Sequence, residues 1–497
     1  MTSVAERGAA PEASPAETNR WLVLVLVCLA QFMVVLDATI TNVALPSIQR
    51  DLGFSAADLQ WVVNSYTLLF GGFLLLGGRM GDLIGRKRIF IAGVVVFSTA
   101  SLLCGLSHST GMLIAARALQ GLGAALVSPA ALSIITTTFE EGPDRTKALG
   151  VWSAIAAGGA AFGLLLGGVL TELLAWEWIF FVNVPVGIAA ALLSLRYVPE
   201  SRAPDRPDSF DIAGAVSVTA GLLVLVYAIV KAESFGWGSA RTLGLLAAAF
   251  ALLAAFVAIE RRSHSPLIRL GIFRIRSLTI ANLVLLAVGA GMFANFFFAS
   301  LYVQQILGYT PIEAGLAFLP VTFGIGIGAG LAQQLIKRFD VRRIAVAGMV
   351  LAAIGLYVLS LVPVDGTYLA NLLPGLIPMS IGMGLTFVPI TLIATTNVSG
   401  NDAGLASGLF NTSQQVGGAL GLAVLATLAA DKTASVLAGL GRAPTPADQP
   451  AALVEGFQVA FTGAALLLAL GAVVLALTLR ASDTANINPE EMPVVGA

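Results

Sequence analysis

Charge is what this chain has least of. Asp, Glu, Lys and Arg supply 11% of its 497 residues, apolar residues supply 57%, and mean hydropathy is +0.89. A water-soluble chain needs roughly twice that share of charge, so the composition excludes a soluble globular protein and indicates a polytopic membrane protein. Cysteine is almost absent: Cys28 and Cys104 lie near opposite ends of their apolar runs, which excludes a disulfide framework. The two histidines, His108 and His264, lie outside the apolar runs, and no HExxH or CxxC occurs. No metal site is expected, and an intramembrane metalloenzyme is excluded. No Gly-Lys dipeptide exists, so there is no Walker A loop, and energy must come from a gradient or a partner rather than from ATP bound by this chain. The net charge of −1 says nothing about acidic partners, because the distribution of charge along the chain carries the information here; no nucleic-acid partner and no cofactor is expected.

What is present is a series of fourteen apolar runs, from 21–45 to 456–479. The first lacks a small-residue cleavage site and is too long for a signal-peptide core, so it is expected to remain as a spanning helix. Residues 1–20 and 481–497 read as polar cytoplasmic tails, the first disordered. More polar connections divide the spans into six, two and six: an N-terminal bundle at 21–198, a linker with two extra spans at 199–276, and a C-terminal bundle at 277–480. An even number of spans puts both termini on one side. Placing them in the cytoplasm leaves outside only Arg50, Lys231, Arg241, Lys432 and Arg442 of the 27 Lys and Arg, with Arg117 inside a span. GGRMGDLIGRKR at 77–88 is echoed by LIKRFDVRR at 335–343, at the matching hairpin of each half. Abundant Arg, Ala and Gly suggest a GC-rich bacterial genome, and with it a multi-pass protein of the bacterial plasma (inner) membrane.

Two charges fall well inside the spans. Asp37 lies about 12 Å from the outer end of the first and Arg117 about 9 Å from the same surface in the fourth, at 1.5 Å per residue. Opposite charges at one depth suggest a pair or a shared water cavity, since each is costly alone in lipid; a static structural pair is the competing reading. Gln120 and Gly121 share the helix face of Arg117. Asn42, Asn64, Tyr66, Asn411 and Gln415 are candidate cavity lining or interhelical hydrogen-bonding groups. Gly159, Gly163, Gly167 and Gly168 form a ridge in the fifth span that permits close helix approach, in static packing or in a sliding interface. Segment 266–276, PLIRLGIFRIR, reads as an interfacial stretch or a simple tether. Glu172, Glu177 and Glu313 are candidate second acids near the outer surface, and Phe32, Tyr66, Phe70, Phe296, Phe297 and Phe298 are either pocket aromatics or packing and lipid-facing residues. Asp37 reads as the only deep carboxylate.

Taken together, LDATITNVALP at 36–46, GDLIGRKR at 81–88, RALQGLGAA at 117–125, WEWIFFVNVPVG at 176–187, PLIRLGIF at 266–273 and NTSQQVGGALG at 411–421 resemble the fourteen-spanner drug:proton antiporters of the major facilitator superfamily, over nearly the whole chain. The resemblance implies an all-α protein of two six-helix bundles plus two central helices around a cavity, working by alternating access. It implies that Asp37 carries a proton or substrate, with Arg117 as coupling partner and Gln120 beside it, and that Gly81, Asp82, Gly85 and Arg86 form the cytoplasmic gate hairpin. Two positions depart from the pattern: Leu164 stands where the family has proline, removing a kink site, and Leu83 stands where it commonly has Arg. The expected function is proton-coupled export of small amphipathic or hydrophobic compounds, including antibiotics. The alternatives are a dedicated exporter or importer of one endogenous metabolite and, from another class, a non-transporting receptor or scaffold. The expected partners are a small molecule, protons and the bilayer; no enzyme activity and no oligomeric state are implied.

Overall fold

In hydrocarbon each backbone group must be satisfied within its own segment, and the apolar runs accordingly become helices. The computed structural model describes residues 19–202, 211–399 and 402–484; most of the two expected tails falls outside them. The helices are α1 Arg20–Leu52, α2 Trp61–Ile84, α3 Arg86–Gly105, α4 Thr110–Thr138, α5 Pro143–Leu173, α6 Trp178–Phe181, α7 Asn183–Tyr197, α8 Ile212–Phe235 and α9 Ala240–Arg262. They continue as α10 Arg276–Leu301, α11 Pro311–Ala317, α12 Leu319–Ile336, α13 Val341–Leu359, α14 Leu373–Thr395, α15 Ala403–Ala438 and α16 Gln449–Thr478. Among the described residues, thirteen helical stretches are long and apolar enough to cross a membrane. The run expected as the fifth span lies in α5, where Gly158–Leu173 is a further, shorter apolar stretch.

Helices α1 to α7 pack among themselves, with α4 against α2 and α3, and α1 against α4, α5 and α7. Helices α10 to α16 form a second set, in which α10 packs on α14, α15 and α16, and α14 on α12 and α13. The hairpin α8–α9 stands beside both, with α8 touching α2 and α15. Salt bridges and hydrogen bonds mark one basic face. Arg20 pairs with Asp144 at 2.7 Å, Arg86 N donates to Ser201 O at 3.0 Å, and Arg276 Nη2 donates to Thr478 O at 2.6 Å.

On the opposite face the two sets are bonded to each other. Ser300 Oγ donates to Asn42 O at 2.7 Å, Gln304 Nε2 to Val43 O at 2.8 Å and Gln305 Nε2 to Gln49 Oε1 at 2.8 Å. A π-helical turn, Tyr302–Ile306, at the end of α10 carries both glutamines. Such widened turns re-aim side chains, here toward α1. Ile312 N donates to Glu172 Oε2 at 2.9 Å, and Gly315 packs against the Leu164 carbonyl.

Three readings of the sequence are refined. Residues 266–276 do not hang as a simple tether. Leu267 packs with Leu76, Ile272 with Leu409, and Arg269 pairs with Asp402 at 2.5 Å, so the segment is clamped over the basic face. Of the aromatics, Phe297 and Phe298 take the packing alternative as core residues, Phe298 meeting Phe457 at a tilt and Phe461 edge-on. Asp37 keeps its place as the deep carboxylate but is not the only buried acid among the described residues: Asp211, which caps α8, and Glu260, in the last turn of α9, are 6% and 4% exposed at the basic face.

Candidate functional site

Asp37 sits in mid-α1, where neither carboxylate oxygen can reach water; the residue is 0% exposed. Arg117, from α4, is 1% exposed and is the largest fully buried side chain among the described residues. The two meet directly, Arg117 Nη1 lying 2.5 Å from Asp37 Oδ2. The same nitrogen donates to Gln120 Oε1 at 2.7 Å, and Arg117 Nε donates to Val62 O at 2.9 Å. The guanidinium lies 4.4 Å from the centre of the Tyr66 ring and 5.6 Å from that of Phe180, both within cation–π range.

The other carboxylate oxygen, Asp37 Oδ1, accepts from Gln120 Nε2 at 2.6 Å and from Asn183 Nδ2 at 3.1 Å. Gln120 Nε2 also donates to Ser101 Oγ at 2.8 Å. Four helices therefore converge on one acid: α1 supplies Asp37, α4 Arg117 and Gln120, α3 Ser101, and α7 Asn183 from its first position. Three donors around a buried carboxyl, one of them the Arg117 cation, match an ionised Asp37.

Small residues make the convergence possible. A Cβ on Gly121 would collide with the Tyr66 backbone, 2.9 Å from its carbonyl carbon, so glycine lets α4 approach α2 closely enough for Arg117 to reach the Val62 carbonyl. On the other side of α1, Gly159 lies against Phe32 and Val35, Gly163 against Leu36 and Thr39, and Gly167 against Ile40. The α5 ridge thus backs the very turns that carry Asp37. Gly168 faces Pro311 and Ile312 across the seam to α11.

The remaining candidates divide. Tyr66 is buried against Arg117, whereas Asn64 is buried and donates to Gln60 Oε1 at 3.2 Å, outside the network. Asn42 is half-buried and donates to Ala38 O at 3.0 Å, and Ala38 and Asn411 are exposed within their helices. Gln415 is half-buried, and its Cβ lies 2.9 Å from the position a Cβ on Gly71 would take, at the crossing of α2 and α15. In the hairpin, Gly81 ends the close-packed part of α2, Gly85 takes φ 130°, and Arg86 Nη2 lies 2.9 Å from Asp82 Oδ1. Glu313 caps its own helix through Thr310, and Glu172 accepts from the Ile312 backbone, so both acids have structural partners. Asn183 and Ser101 were missed by sequence reasoning. The available signal was Asn183 as a lone amide in WIFFVNVPVG.

A buried ion pair held by polar side chains from four membrane-crossing helices, within two helical sets flanking an extra hairpin, defines a polytopic membrane protein built around an intramembrane charge site. Residues 27–422 match the Major Facilitator Superfamily model. The chain is 43% identical over 460 residues to the puromycin resistance protein pur8 of Streptomyces alboniger, covering 92% of this chain and 91% of that protein. It is 41% identical to the cephamycin export protein CmcT of Amycolatopsis lactamdurans, covering 94% of each. Among solved structures it is similar to the POT family transporter PepTSo, with a TM-score of 0.70 at 16% identity, covering 95% of this chain and 100% of that one. The chain belongs to the Major Facilitator Superfamily.

Proposed function

We propose that this protein is a proton-coupled secondary transporter of a bacterial inner membrane, exporting small amphipathic or hydrophobic compounds, antibiotics among them, by alternating access. The buried Asp37–Arg117–Gln120–Asn183 network carries the reading, because a titratable acid held by donors from four helices ties proton occupancy to helix packing. The names of the relatives, one a resistance protein and one an export protein, support the direction and the substrate class. Residues 21–198 and 277–480 act as the two moving bundles, with 199–276 as the accessory segment. The basic face is cytoplasmic, as expected from Lys and Arg placement.

In this reading the conformation is closed outward and open inward, consistent with inter-bundle bonds from Asn42 to Gln305 on the outer side and with exposed Ala38 and Asn411. A proton reaching Asp37 releases Arg117, the α1–α5 glycine seam adjusts, and substrate leaves outward. Loss of the proton inward restores the pair. Gly81, Asp82, Gly85 and Arg86 gate the cytoplasmic side, and Asn42, Asn411 and Gln415 line the path. The protein makes and breaks no substrate bond.

A second reading is narrow specificity, favoured because each of these relatives is named for a single compound. Uptake into inverted vesicles tests both. Accumulation of labelled puromycin and of unrelated hydrophobic dyes that collapses with a protonophore supports broad export; accumulation of one compound supports the narrow reading. Accumulation of any of them that survives the protonophore contradicts proton coupling.

A further inference from the structure

At the basic face, α8 begins and α9 ends beside the last turns of α2. Asp211 caps α8, its Oδ1 accepting from Gly214 N at 2.7 Å. Glu260 Oε2 accepts from Ile268 N at 3.0 Å. Both residues are more than nine-tenths buried, and among the described residues Asp211 Oδ2 and Glu260 Oε1 each have no hydrogen-bond partner. The two carboxyl groups converge over Gly214. A Cβ there would lie 2.8 Å from Glu260 Oε1 and 3.0 Å from Asp211 Oδ1, so glycine is what lets them meet.

One cation is within electrostatic reach of both acids, Arg79 of α2. Its Nη1 is engaged by the Ser265 carbonyl at 3.2 Å, and among the described residues it forms no salt bridge with either acid. Arg269 and Asp82 also act on Arg79, but Arg269 is paired with Asp402 and Asp82 with Arg86. Arg261, Arg262 and His264, on the same turn as Glu260, are exposed to solvent. Among the described residues, these two neighbouring buried carboxylates, with a single arginine committed elsewhere, are one positive charge short of neutrality. Like-charged carboxyl groups buried side by side favour the binding of one proton by the pair.

We infer that Asp211 and Glu260 together hold one proton, forming a proton-binding site distinct from Asp37 that fastens the α8–α9 hairpin to the gate hairpin through Arg79. The proton is taken from water at the basic face and returned to it, with no other reactant. When it leaves, the second negative charge draws Arg79 off the Ser265 carbonyl and onto the acids. When it returns, Arg79 goes back. Given the proposed orientation, the site reads cytoplasmic pH and sets the position of the α2 end independently of the charge at Asp37.

Infrared difference spectroscopy of the full-length protein, titrated over pH, tests the site without requiring transport, so its failure is distinguishable from failure of the exporter reading. Wild type is expected to show a protonated-carboxyl band that titrates, is lost at neutral pH in Glu260→Gln and in Asp211→Asn, and survives in Asp37→Asn. Either variant suffices, provided it elutes as wild type on gel filtration. No titrating band in wild type, or an unchanged band in a folded variant, overturns the inference. In proteoliposomes where the pH of both faces is shifted together at a fixed gradient, wild-type transport is expected to follow the shift and Glu260→Gln to flatten that response, while still depending on the gradient when pH on the opposite face alone is changed. A wild-type response retained by Glu260→Gln overturns the regulatory role.

Discussion

Replacing Arg117 with Met removes the cation and leaves its neighbours in place, and this is where the energetics of the central network become measurable. Asp37 would keep Gln120 and Asn183 as donors but lose the only positive charge bonded to it, and the Val62 carbonyl would lose its donor. Breaking a buried pair from one side costs about 3–5 kcal/mol, because a stranded charge stays behind. Adding Asp37→Asn removes that charge. The double variant then lacks the Val62 hydrogen bond and the stacking on Tyr66, together worth about 1–3 kcal/mol. Arg117→Met should therefore melt well below wild type in detergent, and the double variant should recover part of the loss. The interaction term should be on the order of 2 kcal/mol. If the two losses simply add, so that the double variant is the least stable of the set, the charges do not interact and the reasoning fails.

Two further outcomes follow from the packing. Gly163→Val should reduce transport several-fold by wedging α5 away from Leu36 and Thr39, whereas Gly158→Val, with open space at its Cβ position, should transport as wild type; equal loss in both would remove α5 from the account. Cysteines at Gln49 and Gln305, whose side chains lie 2.8 Å apart, should cross-link with a short thiol reagent and stop transport reversibly, since the native Cys28 and Cys104 are buried and free. Cross-linked protein that still transports would show that the outer seam need not open.

Asp37 and Arg117 were legible because an ionised group in an apolar helix carries a large desolvation cost, so chance rarely leaves one there, and a fixed rise per residue gives its depth. Gln120 followed from its i+3 position. Asn183 was not legible in the same way: an uncharged amide costs far less in a span, and its place at the start of α7, after the short α6, depends on where the chain breaks. Ser101 reads as one more small residue in an apolar helix. The apolar runs gave the helices nearly to their ends, but run boundaries also misplaced Asp211 and Glu260. A carboxylate at the edge of a run looks solvated unless the next segment is known to fold back over it, as 266–276 does here through Leu267 and Ile272. That clamp depends on side chains from both helical sets, which local periodicity does not record.

The coupling role of Asp37 is most directly tested by the pH inside liposomes. With a pH-sensitive dye in the lumen and an exported compound such as puromycin added outside, wild type in a membrane of defined gradient should move protons only when the compound is present. Asp37→Asn, folded by gel filtration, should move none while still binding the compound. Substrate-dependent proton movement at the wild-type rate in Asp37→Asn would contradict the account.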